Sequence, residues 1–221
     1  MKVTTDACMF GAWCAALLQT QQATGKTLLD IGTGTGLLSL LLRQKQELSI
    51  DAIEIDAAAA TQARENVASS PWKESIQVFK GDVLDMDVLK SYDYIISNPP
   101  FYENELQSAD SRRNTAHHSH QLTWHQLRIF IETHLHENGQ FFLLLPYKRR
   151  DEIYALLQKN QFFIYNEGIV KQTPAHIPFR IMLQGGFEKL HTQTITITIA
   201  EKNQHYTPEF IALLKDYYLY L

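Results

Sequence analysis

The stretch from Leu28 to Leu40, LLDIGTGTGLLSL, decides the fold class, because it joins an apolar run, a glycine turn and a second apolar run. A short apolar run bounded by glycine is typical of a buried strand, and the leucines after the turn favour a helix. The same order repeats along the chain. Further strands are predicted at 49–56, 75–82, 92–98 and 140–146, with helices at 57–69, 123–139 and 148–160.

The chain changes character after residue 160, where three β-rich runs at 162–170, 179–187 and 194–200 precede a last helix predicted at 207–221. Alternating strands and helices predict a parallel sheet with helices on both faces, and a late β-rich run predicts an antiparallel strand at one edge. We therefore expect an α/β fold with a mostly parallel seven-stranded sheet and an antiparallel edge strand, in a single domain over residues 1–221.

Two residues mark expected helix ends. Asp56 precedes an alanine-rich run, where its carboxylate would act as an N-cap for the helix. Gly139 follows the helix predicted at 123–139 and is expected to end it as a C-cap.

The composition limits the classes of function. The net charge is −4, so a general polyanion binder is excluded and any contact with nucleic acid must use a local basic patch. Cys8 and Cys14 lack the spacing of a metal pair and are expected to be buried thiols in a reducing compartment. The apolar run 7–18 resembles a signal peptide, but Asp6 interrupts it and no cleavage site follows. We expect a cytoplasmic protein without a membrane span.

The glycine turn does not match a dinucleotide site. Gly32, Gly34 and Gly36 follow the pattern G-x-G-x-G, and Leu37 occupies the third glycine position of the dinucleotide fingerprint. Asp30 lies at the end of the strand just before the turn. A carboxylate there would repel a pyrophosphate but attract an ammonium group, so the ligand is expected to carry a cation instead of phosphates.

Two more acids end neighbouring strands. Glu54 lies 22 residues after Gly32, where it could accept hydrogen bonds from both ribose hydroxyls. Asp82 ends the third strand, where it could accept one from an adenine amino group. Either acid alone could be a simple helix cap. Together with the turn they describe a nucleoside with a cationic amino-acid tail, which is S-adenosylmethionine.

The run Asn98-Pro99-Pro100-Phe101 follows the fourth strand. The Asn98 side-chain oxygen and the Pro99 carbonyl suit the two N–H bonds of an amino group whose lone pair is delocalised. Two such acceptors favour pyramidal nitrogen, which frees the lone pair for methyl transfer. The prolines stiffen the loop, and Phe101 offers a face on which a planar base can stack. The alternative is a rigid proline turn that ends a strand.

These motifs resemble the class I methyltransferases that modify amino nitrogens, which have a Rossmann-like fold. The chain resembles more closely the bacterial tRNA1(Val) adenine-N6 methyltransferase family, which acts on the adenine 3′ of the anticodon. The segments that carry the resemblance are DIGTGTG, AIEID, GDV, SNPPF, MKVTTDACMFGAW, ENVASSPWKESIQV, PFRIMLQ and YTPEFIALLKDYYLYL. The resemblance covers nearly the whole chain.

The resemblance implies a role for each matching residue. The cofactor would be bound by Asp30, Gly32, Gly34, Glu54 and Asp82, with Thr5 and Asp6 near its methionine part and Asn98 beside it. The target amino group would be held by Asn98, Pro99 and Phe101. The implied partner is a tRNA that presents an adenine, and a monomer is expected.

The chain departs from the family pattern in two places. Family members usually carry a further basic and phenylalanine-rich segment upstream, whereas Met1 starts inside the pattern. Ala116-His117-His118 stands where the family often has Ala-Arg-His, so the chain lacks an arginine that could contact a phosphate.

Basic residues and histidines follow the NPPF run. Arg112, Arg113 and 148–150 could form a basic rim for RNA, or 148–150 could be a solvated helix start. The histidine group consists of His117, His118, His120 and His125. It lacks cysteine partners and metal-ligand spacing, so a loop that closes over the substrate is expected and no metal.

Several alternative functions remain open from the sequence. A glutamine amide methyltransferase uses the same Asn-Pro-Pro chemistry, but usually with tyrosine next and with a helical N-terminal domain. A guanine-N2 RNA methyltransferase is also open, whereas DNA methylation would need a target-recognition domain. A non-enzyme alternative is an inactive scaffold that binds RNA, although such proteins typically lose the glycines or the asparagine that are present here.

Overall fold

The computed structural model describes residues 3–21, 23–85, 90–99, 122–202 and 205–221. The helices are Thr5–Gln19 (α1), Leu37–Lys45 (α2), Ala57–Ala68 (α3), Trp124–His134 (α4), Arg150–Lys159 (α5) and Pro208–Leu214 (α6), with a 3-10 turn at Tyr147–Arg149. The strands are Thr27–Ile31 (β1), Ser49–Glu54 (β2), Ile76–Lys80 (β3), Tyr92–Ser97 (β4), Leu135–Pro146 (β5), Phe163–Lys171 (β6), Arg180–Gly186 (β7) and Gln193–Thr198 (β8).

The strands of the described residues form one sheet in the order β3-β2-β1-β4-β5-β7-β6-β8. The predicted α/β fold with a mostly parallel sheet is confirmed, but two details of the prediction were wrong. The sheet has eight strands instead of seven, because β8 pairs parallel to β6 and adds an edge. The antiparallel strand is not at the edge, since β7 inserts between β5 and β6 and pairs antiparallel to both.

The predicted helix ends had different outcomes. Asp56 caps α3 as predicted, because its carboxylate accepts a hydrogen bond from the Ala59 amide at 2.8 Å. Gly139 does not end α4, which stops at His134, where Leu135 turns extended and starts β5. Gly139 lies where the pairing of β5 with β4 shifts register, and a Cβ there would approach the His136 carbonyl oxygen to 2.9 Å. The glycine therefore serves an irregular strand, not a helix cap.

Helices cover both faces of the sheet, and a hydrophobic cluster lies on each. The first cluster joins the sheet to α1, α2, α3 and α6, and its largest buried side chains include Phe10, Phe142 and Phe210. The second joins the opposite face to α4 and α5. Side chains alternate between the faces along each strand, so Leu28 belongs to the first cluster and Leu29 to the second.

The apolar run near the N terminus is part of the core. Most of α1 is buried, and it packs chiefly against α2. Cys8 and Cys14 are buried free thiols, as predicted, and burial raises the pKa of both. Among the helices of the described residues, none combines the length and the apolar character that a bilayer span requires.

Candidate active site

The main predicted residues lie side by side at the carboxyl ends of β2, β1 and β4, which we call the carboxyl-end edge of the sheet. Ile31 pairs with Ile53 of β2 on one side and with Ser97 of β4 on the other. One step further, the same register places Gly32 level with both Glu54 and Asn98. Neighbouring strands lie about 4.8 Å apart, so Glu54 and Asn98 flank the turn at roughly 10 Å from strand to strand.

Positive φ angles build the glycine turn. Gly32, Gly34 and Gly36 have φ values of 71°, 60° and 81°, which side chains with a Cβ rarely adopt. Gly32 is exposed, and a Cβ built on it meets nothing within 4 Å, so its backbone faces open space. Gly36 has another role, because a Cβ there would lie 3.6 Å from the Cβ of Ala63 in α3. The turn thus offers one exposed backbone surface, at Gly32.

Asp30 is fully buried beneath the turn. Its Oδ2 accepts hydrogen bonds from the hydroxyls of Thr33 at 2.6 Å and Ser39 at 2.7 Å. Its Oδ1 is buried without a hydrogen-bond partner. Burial raises the pKa of Asp30 to about 6, although the hydroxyl donors oppose the shift. A buried carboxylate oxygen without a donor is costly, so this atom is suited to a cationic N–H group brought by a ligand.

Glu54 is also buried and is held in place by the backbone. Its Oε2 accepts a hydrogen bond from the Gly34 amide at 2.8 Å, and its Oε1 accepts one from the Asp56 amide at 2.9 Å. A carboxylate oxygen accepts two hydrogen bonds, so each still has capacity for a ribose hydroxyl. The contact with Gly34 also fixes the end of β2 against the glycine turn.

Asp82 lies in a turn just after β3 and is partly buried. Its Oδ1 accepts a hydrogen bond from the Leu84 amide at 2.9 Å, so the side chain shapes the turn. Two apolar side chains are exposed nearby, Ile55 directly after Glu54 and Leu84 after Asp82. Apolar groups beside a carboxylate suit the flat face and the amino group of a purine. The sequence analysis missed both residues, although Ile55 directly follows Glu54 and Leu84 comes two residues after Asp82.

Asn98 and Pro99 follow β4 at the centre of this edge. Asn98 is partly exposed and Pro99 is buried. The residue before them, Ser97, is buried and donates a hydrogen bond from its hydroxyl to the Ile31 carbonyl oxygen at 2.9 Å. This bond ties the end of β4 to the end of β1, so Asn98 is fixed relative to the glycine turn. Phe101 lies outside the described residues, and its predicted role stays a prediction.

Comparisons with known proteins agree with this geometry. Residues 12–149 match the methyltransferase small domain family. A Trichodesmium erythraeum protein named tRNA1(Val) (adenine(37)-N6)-methyltransferase is 35% identical, with 99% of this chain and 91% of that protein covered. A Bacteroides thetaiotaomicron protein of the same name is 33% identical, with 100% and 92% covered. This chain belongs to the tRNA1(Val) (adenine(37)-N6)-methyltransferase family.

Solved structures share the fold of this family member. A predicted O-methyltransferase, protein Atu636 from Agrobacterium tumefaciens, has a TM-score of 0.68 at 15% identity, with 95% of each chain covered. The glycopeptide N-methyltransferase MtfA complexed with S-adenosyl-L-methionine has a TM-score of 0.58 at 14% identity, with 80% of this chain and 94% of that chain covered. The predicted class I methyltransferase fold is confirmed.

The residues of this family member fit S-adenosylmethionine on three observations. The Oδ1 atom of Asp30 lacks a donor, which an ammonium group supplies. Open space above Gly32 allows close approach to the backbone. The second lone pairs of the Glu54 carboxylate match a pair of ribose hydroxyls.

Thr5 and Asp6 lie at the first turn of α1. Asp6 accepts a hydrogen bond from Nε of Arg180 at 2.8 Å in an ion pair, and Arg180 pairs with Pro146 at the end of β5. The hydroxyl of Thr5 interacts with Tyr218 near the C terminus, a contact that offsets part of the rise that burial causes in the Tyr218 pKa. Asp6 therefore lies near the carboxyl end of β5, directly after Thr5, and both side chains have protein partners that the sequence did not reveal.

Several predicted residues lie outside the described part of the chain. They are Pro100, Phe101, Arg112, Arg113, His117, His118 and His120. His125 lies in the first turn of α4. The described residues contain no group of three or more histidine, cysteine or acidic side chains that could hold a metal ion.

Proposed function

We propose that this protein transfers a methyl group from S-adenosylmethionine to N6 of adenine 37 in tRNA1(Val). The relatives named for this activity cover the chain almost from end to end. The observation that carries the proposal is the strand register. It puts Glu54 and Asn98 on opposite sides of β1, both level with Gly32. A cofactor on the turn and an amino group at Asn98 would then be neighbours.

Five residues would hold the cofactor. Asp30, whose Oδ1 is unpaired, would accept a hydrogen bond from the ammonium group, and the exposed Gly32 backbone would lie against the amino-acid tail. Glu54 would accept hydrogen bonds from the ribose hydroxyls, and Ile55 and Asp82 would contact the adenine. When bound, S-adenosylmethionine supplies a sulfonium methyl group that an amine can attack directly. The protein mainly has to align donor and acceptor.

Asn98 and Pro99 prepare the nucleophile. The side-chain oxygen of Asn98 and the carbonyl oxygen of Pro99 would each accept a hydrogen bond from one N–H of the adenine amino group. Proline lacks an N–H, so Pro99 offers no competing donor. The lone pair is thereby directed away from the ring and towards the methyl donor. An acceptor placed for developing positive charge on nitrogen is an electrostatic contribution to the transition state.

The base must leave the stack of the anticodon loop to reach Asn98. Phe101 is proposed to stack on it there. We place the enzyme in the cytoplasm, where buried free thiols such as Cys8 and Cys14 stay reduced. One chain carries both the residues proposed for the cofactor and those proposed for the adenine, so we propose that it acts as a monomer.

A methylation assay with two transcripts tests the proposal. Purified protein, S-adenosylmethionine and unmodified tRNA1(Val) are expected to yield N6-methyladenosine, detected by mass spectrometry of the digested nucleosides. The matched control transcript carries guanine at position 37 and should yield none. N2-methylguanosine in either transcript would favour a guanine-N2 enzyme. Cofactor binding without methylation of either transcript would favour a scaffold or a protein substrate.

A further inference from the structure

The loop that joins β6 to β7, residues 172–179, exposes an apolar side chain at its tip. Ile177 is 84% exposed. Single exposed apolar residues are common in proteins, so exposure alone indicates nothing. The rigidity of this loop, its position and its charge set Ile177 apart from such residues.

Hydrogen bonds and prolines order the loop. The His176 amide donates to the Thr173 carbonyl oxygen at 3.1 Å, which closes a turn. The Thr173 hydroxyl and Nδ1 of His176 lie 2.7 Å apart in a second hydrogen bond across the same turn. Pro174 lies within the turn, and Pro178 directly follows Ile177. A loop restricted in this way loses little conformational entropy when its tip is buried by a partner.

The base of the loop is fixed to the carboxyl end of β5. The Phe179 amide donates to the Val170 carbonyl oxygen at 3.0 Å, which closes the end of the β6–β7 pair. The Tyr147 amide, directly after β5, donates to the Phe179 carbonyl oxygen at 3.1 Å. The base of the loop, two residues after Ile177, is therefore fixed beside the end of β5, the strand that neighbours β4.

The loop and Asn98 both lie at the carboxyl-end edge of the sheet. Because β7 is antiparallel to both β5 and β6, β6 runs in the direction of β5 and β4, and all three end at this edge. The order β4-β5-β7-β6 puts the loop two to three strands from Asn98. At about 4.8 Å per strand this is roughly 10–14 Å. Ile177 thus reaches the neighbours of a base held at Asn98, not that base.

The charge around the loop suits an RNA strand. Residues 171–180, KQTPAHIPFR, contain Lys171 and Arg180 at the ends and no acidic residue. The whole chain is acidic at a net charge of −4, so an acid-free basic segment beside the site is a local feature. Arg180 is ion-paired with Asp6, so Lys171 is the cation of this segment that a phosphate beside a base would meet, while the apolar tip meets the base itself.

We propose that Ile177 inserts against the bases that flank the target adenine and fills the gap that the adenine leaves in the stack. Apolar wedges that support an unstacked step are a known device of nucleic-acid-binding proteins. Ile177 is then a positioning residue for the target base, acting through its neighbours. This inference rests on the proposed function, because it requires an RNA base at Asn98.

The test compares three variants in steady-state methylation of an anticodon stem-loop. Ile177→Ala should lower kcat/KM for the RNA about 5- to 30-fold, mainly through KM, with unchanged affinity for S-adenosylmethionine. Ile177→Phe should retain activity, because an aromatic ring also stacks on bases. Ile195→Ala is the matched control, because Ile195 is 49% exposed in β8 and pairs with Gly168, three residues before the end of β6, so it lies away from the loop tip. It should leave kcat/KM unchanged.

A fluorescence measurement separates positioning from folding. 2-Aminopurine placed at the target position brightens when it leaves the stack, and at saturating protein Ile177→Ala should give a smaller rise than the wild type. Wild-type kinetics and fluorescence in Ile177→Ala would overturn the wedge and leave the proposed function intact. Loss of activity in Ile177→Phe as well as Ile177→Ala would also overturn it. No methylation by the wild type would overturn both proposals.

Discussion

The half of the site around β1 and β2 differs from the half around β4 and the β6–β7 loop. In the first half, Asp30 and Glu54 are buried and are held by hydroxyls and backbone amides of the same turn. In the second half, Asn98 is partly exposed and Ile177 is almost fully exposed. A small cofactor can be enclosed by a prearranged cradle, whereas a large RNA must meet a surface. The two halves should therefore fail separately when each is mutated.

The largest effect should follow from a change to the target half alone. Asn98→Ala removes one of the two acceptors proposed for the amino group, so turnover should fall by about 100-fold or more, typical of a lost transition-state hydrogen bond. Binding of S-adenosylmethionine, measured by isothermal titration, should stay nearly unchanged. Asn160→Ala at the end of α5 is a control for a lost asparagine. Unchanged turnover in Asn98→Ala would remove the proposed role.

A change to the cofactor half should weaken cofactor binding. Gly32→Val fills the open space above the turn, so affinity for S-adenosylmethionine should fall by about 30-fold or more, equivalent to about 2 kcal/mol. Gly25→Val is the matched control, because Gly25 also has positive φ, 78°, and open space around a built Cβ. Both variants share the backbone strain, but Gly25 lies before the amino end of β1, at the other end of the strand from Gly32. Equal cofactor affinity in the two variants would contradict the cradle.

The third prediction concerns pH and separates the cofactor tail from its nucleoside. The pKa of Asp30 is raised to about 6, so the carboxyl gains a proton as the pH falls through 6. A neutral carboxyl attracts an ammonium group less, so the Kd of S-adenosylhomocysteine should rise below pH 6, by up to about tenfold per pH unit. Adenosine, which lacks the amino-acid tail, should show no such dependence. Parallel pH profiles for the two ligands would show that Asp30 does not face the tail.

The same raised pKa affects the stability of the ligand-free protein. A raised folded-state pKa gives a contribution that is full below the unfolded value of 3.8 and is lost as pH rises through 6. Across this window the loss is of order 3 kcal/mol, because each pKa unit corresponds to about 1.4 kcal/mol. Asp30→Asn should lack this pH dependence in urea unfolding. A variant whose stability falls over pH 4–6 as steeply as the wild type would disprove the link.

The smallest effect should come from the ion pair that joins α1 to the second half. Asp6 of α1 and Arg180 of β7 link the start of the chain to the base of the β6–β7 loop. Partly exposed pairs contribute about 0.2–1 kcal/mol, so Asp6→Asn and Arg180→Gln should each lower the free energy of unfolding slightly. In a double-mutant cycle their effects should be less than additive. Strict additivity would show that the pair carries no coupling energy.

Each half contains residues that the sequence revealed and residues that it did not. The glycine turn, Asp30, Glu54 and Asn98 follow predicted strands, so their shared edge could be predicted from the rule that parallel strands end together. Thr33 and Ser39 hold Asp30 but were missed, because small hydroxyl residues in a turn give no distinct signal. Ile177 was missed as well, because an isoleucine between prolines does not reveal that it is exposed.

Local sequence determined the elements of this protein: apolar runs set the strands, Asp56 set a helix start, and the glycine pattern excluded a dinucleotide turn. Only the tertiary structure decided that β7 lies between β5 and β6, that β8 adds an eighth strand, and that Gly139 serves a strand. It also decided that Asp6 pairs with Arg180, 174 residues away. Strand order and such partners depend on contacts between distant segments, and the periodicity of a segment carries no information about which distant segment it will meet.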